Sequence, residues 1–247
     1  MSASLLHPFS VVLLDIEGTT TPVDFVYEVL FPYARDGVRD FLKEHKADAR
    51  EETEGLREEN RKDTERGLNP PAIVDSSESA MVDSLTLYAH WLMDADRKST
   101  PLKSLQGKIW EEGYRAGLLL AQVFEDVPRA FQKWKDAKKA ICIYSSGSAL
   151  AQRLLFAHTE AGDLTPMIDR YFDTNIGAKI EMESYRRIAS ALERKASEIV
   201  FISDVTAELD AARAAGFQTL LSIRPGNRPQ PNAASFTAIH SFDEVFG

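Results

Sequence analysis

Asp15 and Glu17 stand two residues apart in the run Val11-Val-Leu-Leu-Asp-Ile-Glu-Gly-Thr-Thr-Thr-Pro22. Residues two apart in extended backbone face the same side, so these carboxylates converge on one spot. Like charges that close leave two outcomes. One carboxyl keeps its proton and serves as an acid, or a hard, oxygen-seeking cation lies between them. Asp204, in Ser203-Asp-Val-Thr206, holds the same station after another apolar run and can complete an oxygen cage for Mg²⁺. Lys179, in Gly177-Ala-Lys-Ile-Glu-Met-Glu-Ser-Tyr185, can neutralise a nucleophilic carboxylate and a bound phosphate together. Ser145 and Ser146 precede a helical stretch, where amides and hydroxyls together hold phosphate oxygens. Singly, each residue has a plainer reading as turn former, helix cap or surface charge. Jointly, and in this order, they point to phosphoryl chemistry.

Such residues need a scaffold that ends strands at one edge. Short apolar runs at 11–14, 140–144, 171–173, 199–203 and 217–222 fit strands buried on both faces, separated by helix-length segments. This predicts an α/β fold with a doubly wound, mostly parallel sheet, whose ligands bind beyond the carboxyl ends of the strands. Residues 23–130 read as helical and contain no strong strand. The expected organisation is therefore a catalytic core of 1–22 with 131–247, interrupted by a helical cap at 23–130. Pro32 must kink or end the first helix of that insert, and Ser99-Thr100-Pro101 has the form of a helix start. Trp91, Trp110 and Tyr114, at helical spacing, read as core. Of the nineteen residues 48–66, thirteen are charged and only Leu56 is large and apolar. That segment reads as a solvated helix or mobile loop with nothing to bury.

Composition narrows the function classes. A net charge of -9 and a pI near 5.2 argue against a nucleic-acid surface, which relies on clustered Lys and Arg. The single cysteine, Cys142, lies in an apolar run and has no partner for an internal disulfide, so a plain buried thiol is expected. The first ten residues lack a basic leader, and no apolar stretch reaches the length of a membrane span. The expectation is a cytoplasmic, soluble chain with no membrane partner.

The ordered set of motifs resembles the haloacid dehalogenase superfamily of phosphohydrolases. Glu17 stands where most of its phosphatases have aspartate. Asp15-Ile-Glu-Gly-Thr-Thr20 with Tyr144-Ser-Ser-Gly-Ser148, and Asp96-Arg-Lys98 through Leu105-Gln-Gly107 in the insert, narrow the resemblance to the enolase-phosphatase (acireductone synthase) family of methionine salvage. Met182 departs from the smaller or polar residue usual in that family. The resemblance implies one Mg²⁺ per subunit held by Asp15, Glu17 and Asp204, and a substrate phosphate bound by Ser145, Ser146 and Lys179. It implies Asp15 as nucleophile, Glu17 as acid and base, and Lys179 as a catalytic partner. It further implies a small phosphorylated substrate, 2,3-diketo-5-methylthiopentyl 1-phosphate, enolised and then dephosphorylated by a monomer. The alternatives are a phosphatase of another small phosphomonoester, or a receiver-like module phosphorylated on aspartate, which would need no insert of this size.

Overall fold

The computed structural model describes residues 6–246. It divides into two compact units, one formed by the chain up to Tyr27 together with the chain from Leu120 onward, the other by Glu28–Leu119. The expectations for residues 1–5 and 247 lie outside the described residues. No described helix is long and apolar enough to cross a membrane.

The first unit is built on six strands: β1 (Val11–Leu14), β2 (Ala140–Tyr144), β3 (Arg170–Phe172), β4 (Ile199–Ser203), β5 (Gln218–Ser222) and β6 (Ala238–Ile239). Every pairing is parallel and the order is β3-β2-β1-β4-β5-β6. The five apolar runs read from sequence are thus strands, to within a residue at their ends. The two-residue β6 has too short an apolar run to be read that way. From β1 the chain winds outward through β2 and β3, then returns to the other side of β1 for β4, β5 and β6. The order therefore reverses at β1 and β4, and ligands gather beyond the carboxyl ends of strands at such a reversal. Asp15 follows β1 there, and its amide donates to Ile202 O of β4 at 3.0 Å.

Alternation along the strands divides the core between two faces. Val11, Leu13, Cys142, Tyr144, Ile199 and Phe201 pack with Tyr185 and Ile188 of the helix Met182–Ala191 and with Leu209 and Ala212 of the helix Thr206–Ala214. Burial pushes the Cys142 thiol up to about 12, and it is the unreactive thiol expected. Behind β5, Arg224 forms a buried bidentate pair with Asp126, at 2.8 and 3.1 Å, between the rings of Phe124 and Phe242. Asp126 also takes the Phe242 amide at 2.6 Å. Removing one partner of such a pair strands the other charge. Arg224→Met is expected to cost about 3 kcal/mol in urea unfolding. A loss below about 1 kcal/mol would place the pair among weak surface bridges.

The second unit holds four helices: α1 (Phe31–Glu44), α2 (Arg50–Glu65), α3 (Glu78–Asp94) and α4 (Thr100–Arg115). Pro32 lies in the first turn of α1, which follows a π-helical turn at Phe25–Leu30, so the break falls where proline requires it. Ser99 caps α4 by accepting from the Leu102 amide at 3.2 Å. The expectation that 48–66 has nothing to bury is corrected. Glu52, Leu56, Asn60 and Asp63, at helical spacing on α2, are all buried. Glu52 meets Lys108 at 2.7 Å and Ser104 at 2.5 Å. Asn60 donates to Pro71 O at 2.9 Å, and Asp63 takes Tyr88 Oη at 2.8 Å and Arg97 at 3.0 Å. Charge in the segment is compatible with burial because each buried polar group is met by a partner from elsewhere in the unit.

Candidate active site

The loop after β1 is wound around one carbonyl. Ile16 O accepts the amides of Thr19, Thr20 and Thr21 at 3.0–3.1 Å, and the Gly18 amide returns to Thr21 O at 2.8 Å. Gly18 holds φ at +69°, a conformation that favours glycine. A Cβ there would also lie 2.6 Å from Asp204 Oδ2 and 2.7 Å from Asn227 Oδ1. The turn that carries Asp15 and Glu17 is therefore pressed against the ends of β4 and β5, which brings Asp204 to the loop after β1.

Asp15 is 2 % exposed. Its Oδ1 accepts from Lys179 Nζ at 2.5 Å, and its Oδ2 lies 3.4 Å from Ser203 Oγ. Lys179 enters from the loop between β3 and Met182–Ala191, and that loop is fixed by its carbonyls. Tyr144 Oη donates to Gly177 O at 2.9 Å, Ser184 Oγ to Ala178 O at 2.8 Å, and Tyr185 Oη to Lys179 O at 2.7 Å. Gly177 has a φ of +140°, and a Cβ on it would fall on the Ser184 hydroxyl. Lysine, buried and anchored this way, is a fixed positive charge rather than a surface side chain.

The residue missed at the sequence level is Glu208, on the helix that follows Asp204. Its carboxylate takes Lys179 Nζ at 2.7 Å and Ser203 Oγ at 2.9 Å, so Lys179 bridges Asp15 and Glu208. The signal was present: Glu208 lies four residues after Asp204, one helical turn deeper, on the face that Leu209 and Ala212 bury.

Ser145 follows β2 and is buried; its hydroxyl accepts from the Gly147 amide at 3.2 Å. Ser148, not Ser145 or Ser146, caps the following helix Ala149–Ala157, accepting from Ala151 N at 3.2 Å. The capping role open to serines here is thus already filled, and Ser146 is exposed at the strand end. The hydroxyls of Thr19 and Thr21 are buried in the loop after β1 without a hydrogen-bond partner.

Electrostatics set the protonation states. Burial opposes charge on Lys179, but Asp15, Glu208 and Glu17 outweigh it and hold the ammonium protonated. Burial and then the Asp15 charge raise the Glu17 carboxyl, with Lys179 pulling the other way. The same two causes push Asp204 up to about 7 and Glu208 up to about 7. Four carboxyl groups thus face one lysine. Such a site has room for positive charge, and its donors are the hard oxygens that Mg²⁺ prefers. Among the described residues no group of three or more His, Cys, Asp or Glu side chains forms a ready-made metal cage. Magnesium at phosphoryl-transfer sites is held by one or two carboxylates, with waters and substrate phosphate completing its octahedron. Asp15 and Asp204 suffice for that mode.

The family model of the haloacid dehalogenase-like hydrolases matches residues 9–216. The chain is 52 % identical over 235 residues to the enolase-phosphatase E1 of Synechococcus elongatus, covering 94 % of this chain and 96 % of that one. It is 42 % identical over 244 residues to the enolase-phosphatase E1 of Drosophila pseudoobscura pseudoobscura, covering 94 % of each. Among solved structures, the UTR4 protein of Saccharomyces cerevisiae superposes with a TM-score of 0.77 at 34 % identity, over 95 % of this chain and 99 % of that one.

Proposed function

This chain belongs to the haloacid dehalogenase-like hydrolases and, among them, to the enolase-phosphatases, and on that premise we propose that Asp15 is the nucleophile of a magnesium-dependent phosphomonoester hydrolysis. It is a phosphatase with enolase activity, and its substrate is a small phosphorylated molecule. We assign that substrate as 2,3-diketo-5-methylthiopentyl 1-phosphate, enolised and then hydrolysed to 1,2-dihydroxy-3-keto-5-methylthiopentene and inorganic phosphate in methionine salvage. The observation that supports the reading most is the buried Asp15 carboxylate held on Lys179 at the sheet reversal.

A carboxylate oxygen of Asp15 attacks phosphorus in line with the ester oxygen. The P–O ester bond breaks as the aspartyl phosphate forms. Glu17, whose proton is held by burial and by Asp15, gives it to the leaving oxygen. It then takes a proton from the water that attacks the acyl phosphate, which releases inorganic phosphate and restores the Asp15 carboxylate. Lys179 stays charged throughout and offsets the repulsion between the Asp15 carboxylate and the phosphate. Ser145 and Ser146, which follow the strand beside β1, are assigned to the phosphate oxygens. Asp15 and Asp204, with an oxygen of Glu17, are assigned to one Mg²⁺, which when bound neutralises the phosphate and polarises the diketone as a Lewis acid.

Phosphate release from the diketone ester, dependent on Mg²⁺ and stopped by a chelator, tests this reading. Preference for an unrelated sugar phosphate over the diketone would contradict the substrate assignment while leaving the chemistry standing.

The raised carboxyls give a pH signature. Without metal, Asp204 and Glu208 have native pKa values near 7, above those of the unfolded chain, so the folded state binds more protons between the two. That contribution to stability is present in acid and is lost as pH rises through about 7. Mg²⁺ on Asp204 competes with the proton there. Thermal melts are expected to show a larger stabilisation by Mg²⁺ at pH 8 than at pH 5.5. Equal stabilisation at both would contradict carboxylate ligation.

A further inference from the structure

Asn227, five residues beyond β5, connects the nucleophile loop to the metal side of the site. Its Nδ2 donates to two main-chain carbonyls, Gly18 O at 2.9 Å and Ser222 O at 3.2 Å. Both are acceptors only, so the amide has one satisfied orientation: nitrogen toward them, oxygen away. Turned this way, Oδ1 is buried and has no hydrogen-bond partner. It lies close to Asp204 across the Gly18 turn, since a Cβ on Gly18 would stand 2.7 Å from Asn227 Oδ1 and 2.6 Å from Asp204 Oδ2.

A neutral acceptor and a carboxylate thus lie near each other at the Gly18 turn, and leaving a buried acceptor unmet is costly. A hydrated cation resolves this, because Mg²⁺ dehydrates reluctantly and keeps several waters, each a donor. Building on the magnesium reading above, we propose that Asn227 is a positioning residue of the metal site. Its Oδ1 accepts from a water that accompanies the cation on Asp204, and its Nδ2 locks the Gly18 turn that presents Asp15 and Glu17. Neither half of this role follows from the carboxylates alone.

The test separates the two halves without using turnover. Mg²⁺ is titrated into the wild type, Asn227→Ala and Asn227→Asp without substrate, and binding is read from thermal stabilisation. Both substitutions remove the amide donors, but Asn227→Asp keeps an acceptor oxygen. Groups that orient metal ligands from the outer shell carry roughly ten- to hundredfold in affinity. The expected result is Mg²⁺ binding about tenfold weaker in Asn227→Ala and within about threefold of wild type, or tighter, in Asn227→Asp. The metal-free melting temperature should fall in both. Wild-type affinity in Asn227→Ala, or equal weakening in the two variants, would overturn the proposal and reduce Asn227 to a loop clamp. Should Asn227→Ala not fold, a tenfold loss in a folded Asn227→Asp would overturn it equally. A wild type that does not bind Mg²⁺ would remove the magnesium reading itself, and this proposal with it.

Discussion

Asp15→Asn should abolish phosphate release, by at least about ten-thousandfold in kcat, while leaving the fold intact. The amide has nearly the shape of the carboxylate and offers Lys179 a carbonyl oxygen in place of Oδ1, so the 2.5 Å contact has a replacement. It lacks a charged oxygen able to form the acyl phosphate, and removing a nucleophile leaves only the small rate supplied by binding and electrostatics. Stopped assays of inorganic phosphate beside thermal melts of both proteins measure the two halves of the expectation. Residual release within a hundredfold of wild type would remove Asp15 from the nucleophile's place. Attack by water directly on phosphorus would then be the better description.

Lys179→Ala is expected to lower kcat/KM by roughly a thousandfold, the scale of losing a preorganised charge at a developing anion. Its ammonium is the positive side chain that bridges Asp15 at 2.5 Å and Glu208 at 2.7 Å, and both contacts are buried. Without it, Glu17 and Glu208 lose the positive charge that pulls their carboxyls down, and burial and the Asp15 charge favour their protonated forms. The repulsion between the Asp15 carboxylate and the phosphate then has no lysine to offset it, and Glu17 holds its proton to higher pH. The rate profile of the variant should accordingly shift to higher pH, which steady-state kinetics across pH would reveal. Lys179→Arg should rescue little, because a planar guanidinium does not fit a slot shaped for a compact ammonium. Full activity in Lys179→Arg would show that charge alone matters there, and a pH profile unmoved in Lys179→Ala would remove its link to Glu17.

The parts of the fold that sequence expressed well are those set by local chemistry. Val11–Leu14 and Ile199–Ser203 are apolar at nearly every position because both faces of the sheet are covered, so their strands and the carboxylates that follow them could be read directly. Ser99 and Pro32 likewise act within a few residues of their own positions. The rest depended on partners far along the chain. Glu208 reads as an acidic residue in the first turn of a helix, until Lys179 arrives from a loop before the preceding helix. Asn227 reads as a turn residue after Pro-Gly, and its hydrogen bond to Gly18 joins residues 209 apart. In α2 the count of charges concealed a buried seam, because composition counts Glu52 and Asp63 as solvated while Lys108, Tyr88 and Arg97 pair them in the interior. Polar burial is a property of the partner as much as of the residue.

The decisive experiment is a phosphorus NMR time course of the purified chain with 2,3-diketo-5-methylthiopentyl 1-phosphate and Mg²⁺. The ester resonance should give way to an enol phosphate and then to inorganic phosphate, both steps ceasing when the metal is chelated. An ester resonance that persists unchanged, while the same protein hydrolyses other phosphomonoesters, would contradict the enolase-phosphatase assignment.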